Sequence, residues 1–296
     1  MPSRRRRRRV RALVTVLVGG LLIAGGLLAV NRLTGTESAF AARCVAGTEG
    51  DAAALDLHQA DTAALIGGRA LERGLPARAL TIAIATAMQE SRIRNLDYGD
   101  RDSLGIFQQR PSQGWGTPEE IMDPYYATNA FFDVLVTIDG YQEMEITDAA
   151  QAVQRSGYPN AYAQHETLSR HFASAMTGFS PGTLTCRLPP VEPEAAEQVG
   201  DRLRSRLALD LPSLEVADDG ARQVIDAVAL GGGAQAERMG WAVAAWVLLT
   251  AEHTGASWVT VAGQVWDRAE GADAAWRPLA EDEPGYGDPT GTVGVS

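Results

Sequence analysis

The chain contains no lysine, so every fixed positive charge among its 296 residues is an arginine. Nine of its 26 arginines precede Cys44, and from that residue onward 17 arginines face 36 acidic residues. The body of the chain therefore carries a formal charge of −19, whereas the first 43 residues are basic. Because so anionic a surface is repelled by phosphate polymers, nucleic acid is excluded as a partner.

The chain also lacks the motifs of several enzyme classes. Its four histidines form no His-Glu-x-x-His pair or similar ligand spacing, which argues against a zinc amidase or peptidase. Neither a Gly-x-Ser-x-Gly nucleophile motif nor a phosphate-binding glycine loop occurs. The aspartates of LDYGDRDS, residues 96–103, do not have the spacing of an EF-hand. We therefore predict neither a metal site nor a cofactor.

A long uncharged run follows the arginine-rich start. Leu13 to Val30 would span roughly 27 Å as a helix, against a bilayer core of about 30 Å. Basic residues stay on the cytoplasmic side of such a segment, so residues 1–43 are interpreted as a basic tail and a single-pass membrane anchor. The alternative is a signal peptide cleaved near Ala39-Phe40-Ala41, with secretion to the cell wall. Both alternatives export the body.

Only two cysteines occur, Cys44 and Cys186. An exported chain with an even number of cysteines is expected to pair them, so we predict a Cys44–Cys186 disulfide that also marks the limits of one domain. A catalytic cysteine is the alternative, but nothing around either residue resembles the histidine and amide that would activate it.

The part between the cysteines, residues 44–188, is predicted to be a mainly α domain. Glycine and proline separate its helical patterns, Thr117 to Glu120 forms a capping box, and no run of alternating strands appears. One helix opens at Pro76 and ends at about Ser91, before a polar loop that reaches Gly116. The proline- and glutamate-rich residues 189–200 predict an extended connector.

Residues 201–282 are predicted to form a small α/β domain. An apolar helix over Ala234–His253 is followed by β-branched and aromatic residues around a glycine, as in a strand or hairpin. This part resembles a small domain found at the ends of actinobacterial exported proteins, and the resemblance implies no activity. Residues 283–296, rich in glycine and proline, are predicted to be disordered.

Glu90 ends the helix that opens at Pro76. The residues before it, from Ala79, are mostly alanine, isoleucine, leucine or methionine, which places a carboxyl group at the edge of a core. Desolvation there disfavours the ionised form and raises the pKa, as a general acid near neutral pH requires. A glutamate near a helix end is more commonly solvated, so this position alone does not identify a catalytic acid.

Three motifs in order add to this indication. They are QES at residues 89–91, GIFQ at 105–108 and DPYYATN at 123–129. Together they resemble the soluble lytic transglycosylase and goose-type lysozyme family. In that family, a helix-ending Glu-Ser precedes a Gly-Leu-Met-Gln-like turn and then an Asp/Asn-Pro…Asn segment. The resemblance covers about residues 75–176.

The resemblance implies a lysozyme-like α+β fold that holds a peptidoglycan glycan strand in a cleft. It implies that Glu90 is the catalytic acid and that the products end in anhydro-muramic acid. One carboxyl suffices, because it can donate a proton to the glycosidic oxygen and then take one from the sugar's own primary hydroxyl. The residues implied to bind substrate, with the backbone of 105–107 lining the sugar site, are Ser91, Gly105, Ile106, Phe107, Gln108 and Asn129.

One family motif is missing. Members usually carry Ala-x-x-Tyr-Asn on a later helix, with the tyrosine hydroxyl bonded to the catalytic acid, whereas residues 150–155 read AQAVQR. We assign Gln154 to the site as the substitute, with Tyr158 in the following turn as the alternative. Arg155 beside Glu90 would instead lower the pKa of that carboxyl.

Two other functions remain open. A lysozyme-type hydrolase would use Asp97, Asp100 or Asp102 as a second carboxylate and add water to the product. A catalytically silent peptidoglycan-binding or assembly module would keep the cleft without the tyrosine. The aromatic residues that either stack on sugars or belong to the core are Trp115, Tyr125 and Tyr126.

Overall fold

The structure, a computed structural model, describes residues 41–155, 161–192, 197–220 and 222–296. In these residues the α-helices are α1 Leu57–Glu72, α2 Ala77–Ser91, α3 Pro118–Met122, α4 Pro124–Leu135, α5 Ile146–Gln154, α6 Glu166–Met176, α7 Val199–Asp210 and α8 Ala236–Thr254. The strands are β1 Arg43–Thr48, β2 Asp51–Asp56, β3 Leu184–Arg187, β4 Val216–Asp219, β5 Arg222–Asp226, β6 Trp258–Val261, β7 Gln264–Asp267, β8 Arg277–Pro278 and β9 Thr292–Val295.

A disulfide links two strands of a small sheet. β1 is the central strand of a three-stranded antiparallel sheet ordered β2-β1-β3. β2 follows β1 directly, whereas β3 returns only after helices α1 to α6. Cys44 lies opposite Cys186 in the β1–β3 register, and the two are bonded. The predicted disulfide is therefore confirmed, and it joins the two ends of the helical part of the chain.

Helix α2 lies at the centre of that helical part. Every residue from Ala79 to Ala87 is buried, so the helix is covered on all sides over more than two turns. Helices α1, α4, α5 and α6 pack against it. Six of the nine buried side chains are alanine or threonine, which leaves room for the surrounding helices to approach closely.

The C-terminal part consists of a six-stranded antiparallel sheet and helix α8. The strand order is β4-β5-β9-β6-β7-β8. Helix α8, of which 15 residues are buried, packs against this sheet on one side and against α1 on another. Residues 42–296 accordingly form one compact unit.

A buried carboxylate holds the C-terminal part to the helices. Asp210, at the end of α7, is fully buried and accepts hydrogen bonds from the Tyr125 hydroxyl at 2.7 Å and from the Trp246 indole at 2.8 Å. Arg206 pairs with Asp210 at 2.8 Å and with Asp61 of α1 at 2.7 Å. The carboxylate is thus compensated by a charge and by donors from three helices, as burial of an ion requires.

The predicted fold class is wrong. A mainly α lysozyme-like domain, preceded by a transmembrane helix and followed by a small α/β domain, was expected. The structure is 48% helix and 17% strand, with two antiparallel sheets. Within the described residues, no helix is both long and apolar enough to cross a bilayer. The segment from Leu13 to Val30 and the site near Ala39 lie outside those residues.

The missed strands have weak sequence signals. β2 reads DAAALD, with none of the β-branched or aromatic residues that favour strands, and β1 and β3 are short. Pairing within a sheet and the disulfide, rather than local propensity, support these strands. In the C-terminal part, helix and strands do not alternate as β-α-β units, so the sheet is antiparallel.

The ends of the predicted segments also differ in places. β9, at residues 292–295, lies within the segment predicted to be disordered, and Val293 and Val295 are fully buried. Helix α7 begins at Val199, inside the predicted connector, and residues 193–196 of that connector lie outside the described residues. A four-residue strand that contains a glycine carries too little sequence signal to be recognised alone.

Loss of the disulfide should destabilise the protein. Replacing both Cys44 and Cys186 by alanine should lower the free energy of unfolding by about 4 to 5 kcal/mol, because the bond joins residues 142 positions apart. Guanidinium denaturation without reductant measures the difference. Reductant should lower the unfolding midpoint of the wild type and leave that of the variant unchanged. Equal stability of the two oxidised proteins would contradict the prediction.

Candidate active site

Helix α2 brings Glu90 to the edge of the core. The chain leaves the helix through Arg92 and Ile93, whose φ angles are 56° and 57°. This left-handed conformation is unfavourable for non-glycine residues, and the complete burial of the Ile93 side chain holds it in place. The sharp exit leaves Glu90 partly buried, one residue before the end of the helix.

A buried tyrosine meets the Glu90 carboxyl. The Tyr162 hydroxyl donates a hydrogen bond to Oε1 of Glu90 at 2.6 Å, and Tyr162 itself is fully buried. Desolvation by the surrounding protein raises the pKa of Glu90 above its usual value, while the side-chain hydrogen bonds from Tyr162 and Gln154 oppose that rise. The carboxyl is therefore held in one position and favours its protonated form more than a solvated glutamate does.

Gln154 ties Glu90 to the neighbouring turn. It is the last residue of α5, and its side-chain amide donates to the Phe107 carbonyl at 2.6 Å as well as contacting Glu90. The chain then turns at Arg155, which has a φ of 51°. No ion pair joins Arg155 to Glu90, both of which are among the described residues. The assignment of Gln154 to the site agrees with this geometry, and Tyr158 lies outside the described residues.

Tyr162, rather than a residue of AQAVQR, makes the tyrosine hydrogen bond to Glu90. It lies seven residues after Arg155 and just before a short 3-10 helix, Ala163–His165. Sequence reasoning missed it because it does not lie in the family's motif on α5. The only signal was a tyrosine near the start of the next helical pattern.

The GIFQ turn is closed by its own backbone. Leu104 and Gln109 exchange hydrogen bonds at 2.9 and 3.0 Å. Gly105 has a φ of 78°, and a Cβ on it would lie 2.7 Å from the Ile121 carbonyl oxygen. Both the conformation and the contact require glycine there. The turn is thus fixed in shape before any ligand is considered.

Ser91 of α2 forms a hydrogen bond to this turn. Its hydroxyl lies 2.6 Å from the Ile106 carbonyl and 3.1 Å from the Ala87 carbonyl, and it accepts a hydrogen bond from the Arg94 backbone amide. Ser91 is buried. Its described contacts therefore indicate a supporting role behind the site.

Ile106 and Phe107 face the core. Both side chains are fully buried, and the Phe107 ring stacks on Phe131 of α4 with centroids 4.5 Å apart. Only their backbone atoms remain available near Glu90, and the Phe107 carbonyl already accepts from Gln154. That the backbone of residues 105–107 lines a sugar site stays a prediction, and the buried side chains of Ile106 and Phe107 are compatible with it.

Gln108 and Asn129 lie in different surroundings. The Gln108 amide donates to the carbonyls of Tyr98 and Gly105, each at 3.3 Å, so it stays beside the turn. Asn129 instead accepts from Arg69 of α1 at 3.4 Å through its side chain, and its backbone carbonyl accepts from Arg73. The described contacts of Asn129 are with α1, and they do not bring it together with Glu90.

The described contacts of the loop aspartates, Asp97, Asp100 and Asp102, do not include Glu90. Asp102 pairs with Arg110 at 2.8 Å and accepts from the Ser112 backbone amide at 2.8 Å, and these hydrogen bonds hold its pKa well below its usual value. Asp97 and Asp100 are exposed. No group of three or more potential metal ligands occurs in the described part of the chain.

The three aromatic candidates mostly serve packing. The Tyr125 hydroxyl is used by the buried Asp210, and Trp115 packs partly buried against the core. The hydroxyl end of Tyr126 lies against Gly116. Of these three residues, only the exposed parts of Trp115 and Tyr126 are left for the predicted stacking on a sugar.

A polar cluster next to Glu90 was also missed. The Gln89 side-chain oxygen lies 3.0 Å from the Gln164 amide and 3.1 Å from Nε2 of His165. Burial lowers the pKa of His165, so neutral imidazole is favoured. Gln89 and Glu90 thus form hydrogen bonds to both ends of the segment 162–165, which fixes the Tyr162 hydroxyl against the Glu90 carboxyl.

The comparisons with known proteins leave the family open. No protein-family model matches the chain, and a search of curated protein sequences finds no significant match. A function for this site is therefore argued from the chemistry of Glu90 and its neighbours.

The raised pKa of Glu90 predicts a pH-dependent stability. The native site disfavours the charged carboxyl, so its contribution to stability is fully present below the unfolded pKa of 4.5 and is lost as pH rises through the higher folded pKa. Glu90→Gln removes this dependence, so the variant should gain stability relative to wild type between about pH 4 and about pH 8. Urea denaturation at both pH values measures it. Glu281→Gln, on an exposed residue, is the control, and a pH-independent difference for Glu90→Gln would refute the prediction.

Tyr162→Phe should raise the pKa of Glu90 further. The hydrogen bond from the Tyr162 hydroxyl favours the charged carboxylate and lowers the pKa. Without it, less opposes the rise in pKa that desolvation causes. Carbon-13 NMR titration of the Glu90 carboxyl measures the shift. Tyr286→Phe, on an exposed ring, should leave the titration unchanged. A downward shift in Tyr162→Phe would exclude this role for the hydroxyl.

Proposed function

We propose that this chain is a lytic transglycosylase that cleaves the glycan strands of peptidoglycan, with Glu90 as both acid and base. The observation that carries the proposal is the single carboxyl at the end of a buried helix, desolvated and held by the Tyr162 hydroxyl at 2.6 Å. The resemblance of residues 89–91, 105–108 and 123–129 to that family supports the choice of substrate.

The first step is proton donation. Protonated Glu90 gives its proton to the glycosidic oxygen between N-acetylmuramic acid and N-acetylglucosamine, and the bond from that oxygen to the muramyl C1 breaks. The raised pKa increases the protonated fraction of the Glu90 carboxyl relative to a solvated glutamate. Tyr162 and Gln154 act as positioning residues, because they hold the carboxyl and tie it to the 105–108 turn.

The second step returns the proton. The Glu90 carboxylate accepts the proton of the muramyl primary hydroxyl while that oxygen bonds to C1, which leaves a 1,6-anhydro ring and the acid in its starting form. Water takes no part, so one carboxyl is sufficient. The carboxylate formed in between is stabilised by the Tyr162 hydrogen bond, which favours the charged state.

The surroundings of the aspartates favour this route over hydrolysis. A second carboxylate would have to face the sugar opposite Glu90 to activate water or attack C1. Asp102 is held by Arg110 and Ser112, and no described hydrogen bond joins Asp97 or Asp100 to the Glu90 cluster. We therefore do not favour the lysozyme-type hydrolase, and the digestion experiment below distinguishes its product from that of a transglycosylase.

The contacts of Glu90 also favour an active enzyme over a silent module. A silent module was expected to have Arg155 paired with Glu90 in place of the tyrosine. The described neighbours of the carboxyl are instead Tyr162 and Gln154, a set that a general acid can use. A function outside the cytoplasm fits the Cys44–Cys186 bond, since disulfides persist in oxidising compartments.

Digestion of purified sacculi tests the proposal. The protein should release muropeptides with anhydro-muramic ends, identified by mass spectrometry, and Glu90→Gln should reduce their formation by about 100-fold or more. Glu281→Gln is the matched control and should retain activity. Reducing ends with added water would assign a hydrolase, and binding to sacculi without any products would assign the silent module.

A further inference from the structure

Tyr98 lies exposed beside the turn that supports Glu90. It is 68% exposed and belongs to the loop between Ile93 and Ser103. The turn holds this loop at two points: the Gly105 amide donates to the Leu96 carbonyl at 2.7 Å, and the Gln108 side chain donates to the Tyr98 carbonyl at 3.3 Å. The backbone of Tyr98 is therefore anchored while its ring remains free of the core.

The residue after Tyr98 allows this close contact. A Cβ on Gly99 would meet Oε1 of Gln108 and would lie 2.7 Å from the Ser103 carbonyl oxygen, so glycine allows the loop to lie this close to the turn. Further along, the Ser103 amide donates to the Asp100 carbonyl at 3.1 Å, and Asp102 is fixed by Arg110. A loop held in this way presents an aromatic ring with little further ordering cost on binding.

Three hydrogen bonds connect the backbone of Tyr98 to Glu90 through the turn. Gln154 contacts Glu90 and donates to the Phe107 carbonyl. Gln108, the next residue, donates to the Tyr98 carbonyl. Tyr98 is thus anchored to the same turn as Glu90.

The charges around the ring define the ligand. Asp97 and Asp100 flank Tyr98 and are exposed, and Arg101, 3.9 Å from Asp100, offsets only one of the two carboxylates. Carboxylates accept hydrogen bonds from sugar hydroxyls and repel anions. In peptidoglycan the neutral sugar is N-acetylglucosamine, because N-acetylmuramic acid bears a carboxyl group or the acidic stem peptide.

We propose that Tyr98 is the stacking platform of a subsite for an N-acetylglucosamine residue of the glycan strand, with Asp97 and Asp100 accepting its hydroxyl hydrogens. This subsite rests on the proposed function, since its ligand is the same strand that Glu90 cleaves. An exposed tyrosine offers the apolar face that such a ring requires.

Calorimetric titration with chitotetraose, an uncharged N-acetylglucosamine oligomer, tests the subsite. The full-length chain carries Glu90→Gln so that binding is measured without turnover. Adding Tyr98→Ala should weaken binding roughly 3- to 10-fold, as expected for loss of one stacking contact. Tyr98→Phe keeps the ring and should bind within about twofold of the parent. Tyr286→Ala, which removes another exposed ring, should bind as the parent does.

The outcomes separate the two proposals. Equal binding by the parent and Tyr98→Ala overturns the subsite, as does a parent that does not bind chitotetraose. In either case sacculus digestion reports independently on the enzyme, so anhydro products would leave the proposed function standing. A parent that neither binds chitotetraose nor, with Glu90 restored, digests sacculi would overturn both.

Discussion

Helix α2 can be buried along its length only if the polar groups at its C-terminal end find partners elsewhere in the chain. Ser91 bonds to the Ile106 carbonyl, Gln89 to Gln164 and His165, and Glu90 to Tyr162. Each bond compensates a polar group near the core, and together they fix two segments around the helix end, the 105–108 turn and residues 162–165. The need to satisfy these groups is therefore what assembles the candidate site.

The same rule operates where the C-terminal part meets the helices. Asp210 has no solvent contact. Arg206 balances its charge, and Tyr125 at the start of α4 and Trp246 of α8 donate hydrogen bonds to it. Helix α4 also carries Phe131, on which Phe107 of the turn is stacked. The C-terminal part thus contributes to the packing that supports the turn beside Glu90, in addition to any role of its own.

Local sequence signals predicted the helices well and the contacts between them poorly. Helix α2 ends at Ser91, the capping box at Thr117 forms, and α8 matches the predicted apolar helix within two residues at each end. Helix periodicity and capping are local properties, so they can be read from a short segment. Glu90 was selected as a candidate from local sequence as well, from the apolar residues before it and from the three motifs that occur in order.

The partners of Glu90 could not be found in that way. Tyr162 lies 72 residues from Glu90, and only the packing of the helices brings them together. Asn129 matched a motif, yet its contacts are set by the neighbouring α1. The short strands β1 and β2 form because β3 and the disulfide complete their sheet, which is a property of distant segments.

The strand order of the larger sheet dictates when it can be completed. β9 is last in sequence, yet it pairs with β5 on one side and β6 on the other. A chain emerging from its N-terminal end therefore holds two unpaired strand edges until residues 292–295 arrive to fill the gap. Such edges recruit strands from other molecules. A nascent chain cut short before β9 would be left aggregation-prone, so completion of the sheet depends on β9.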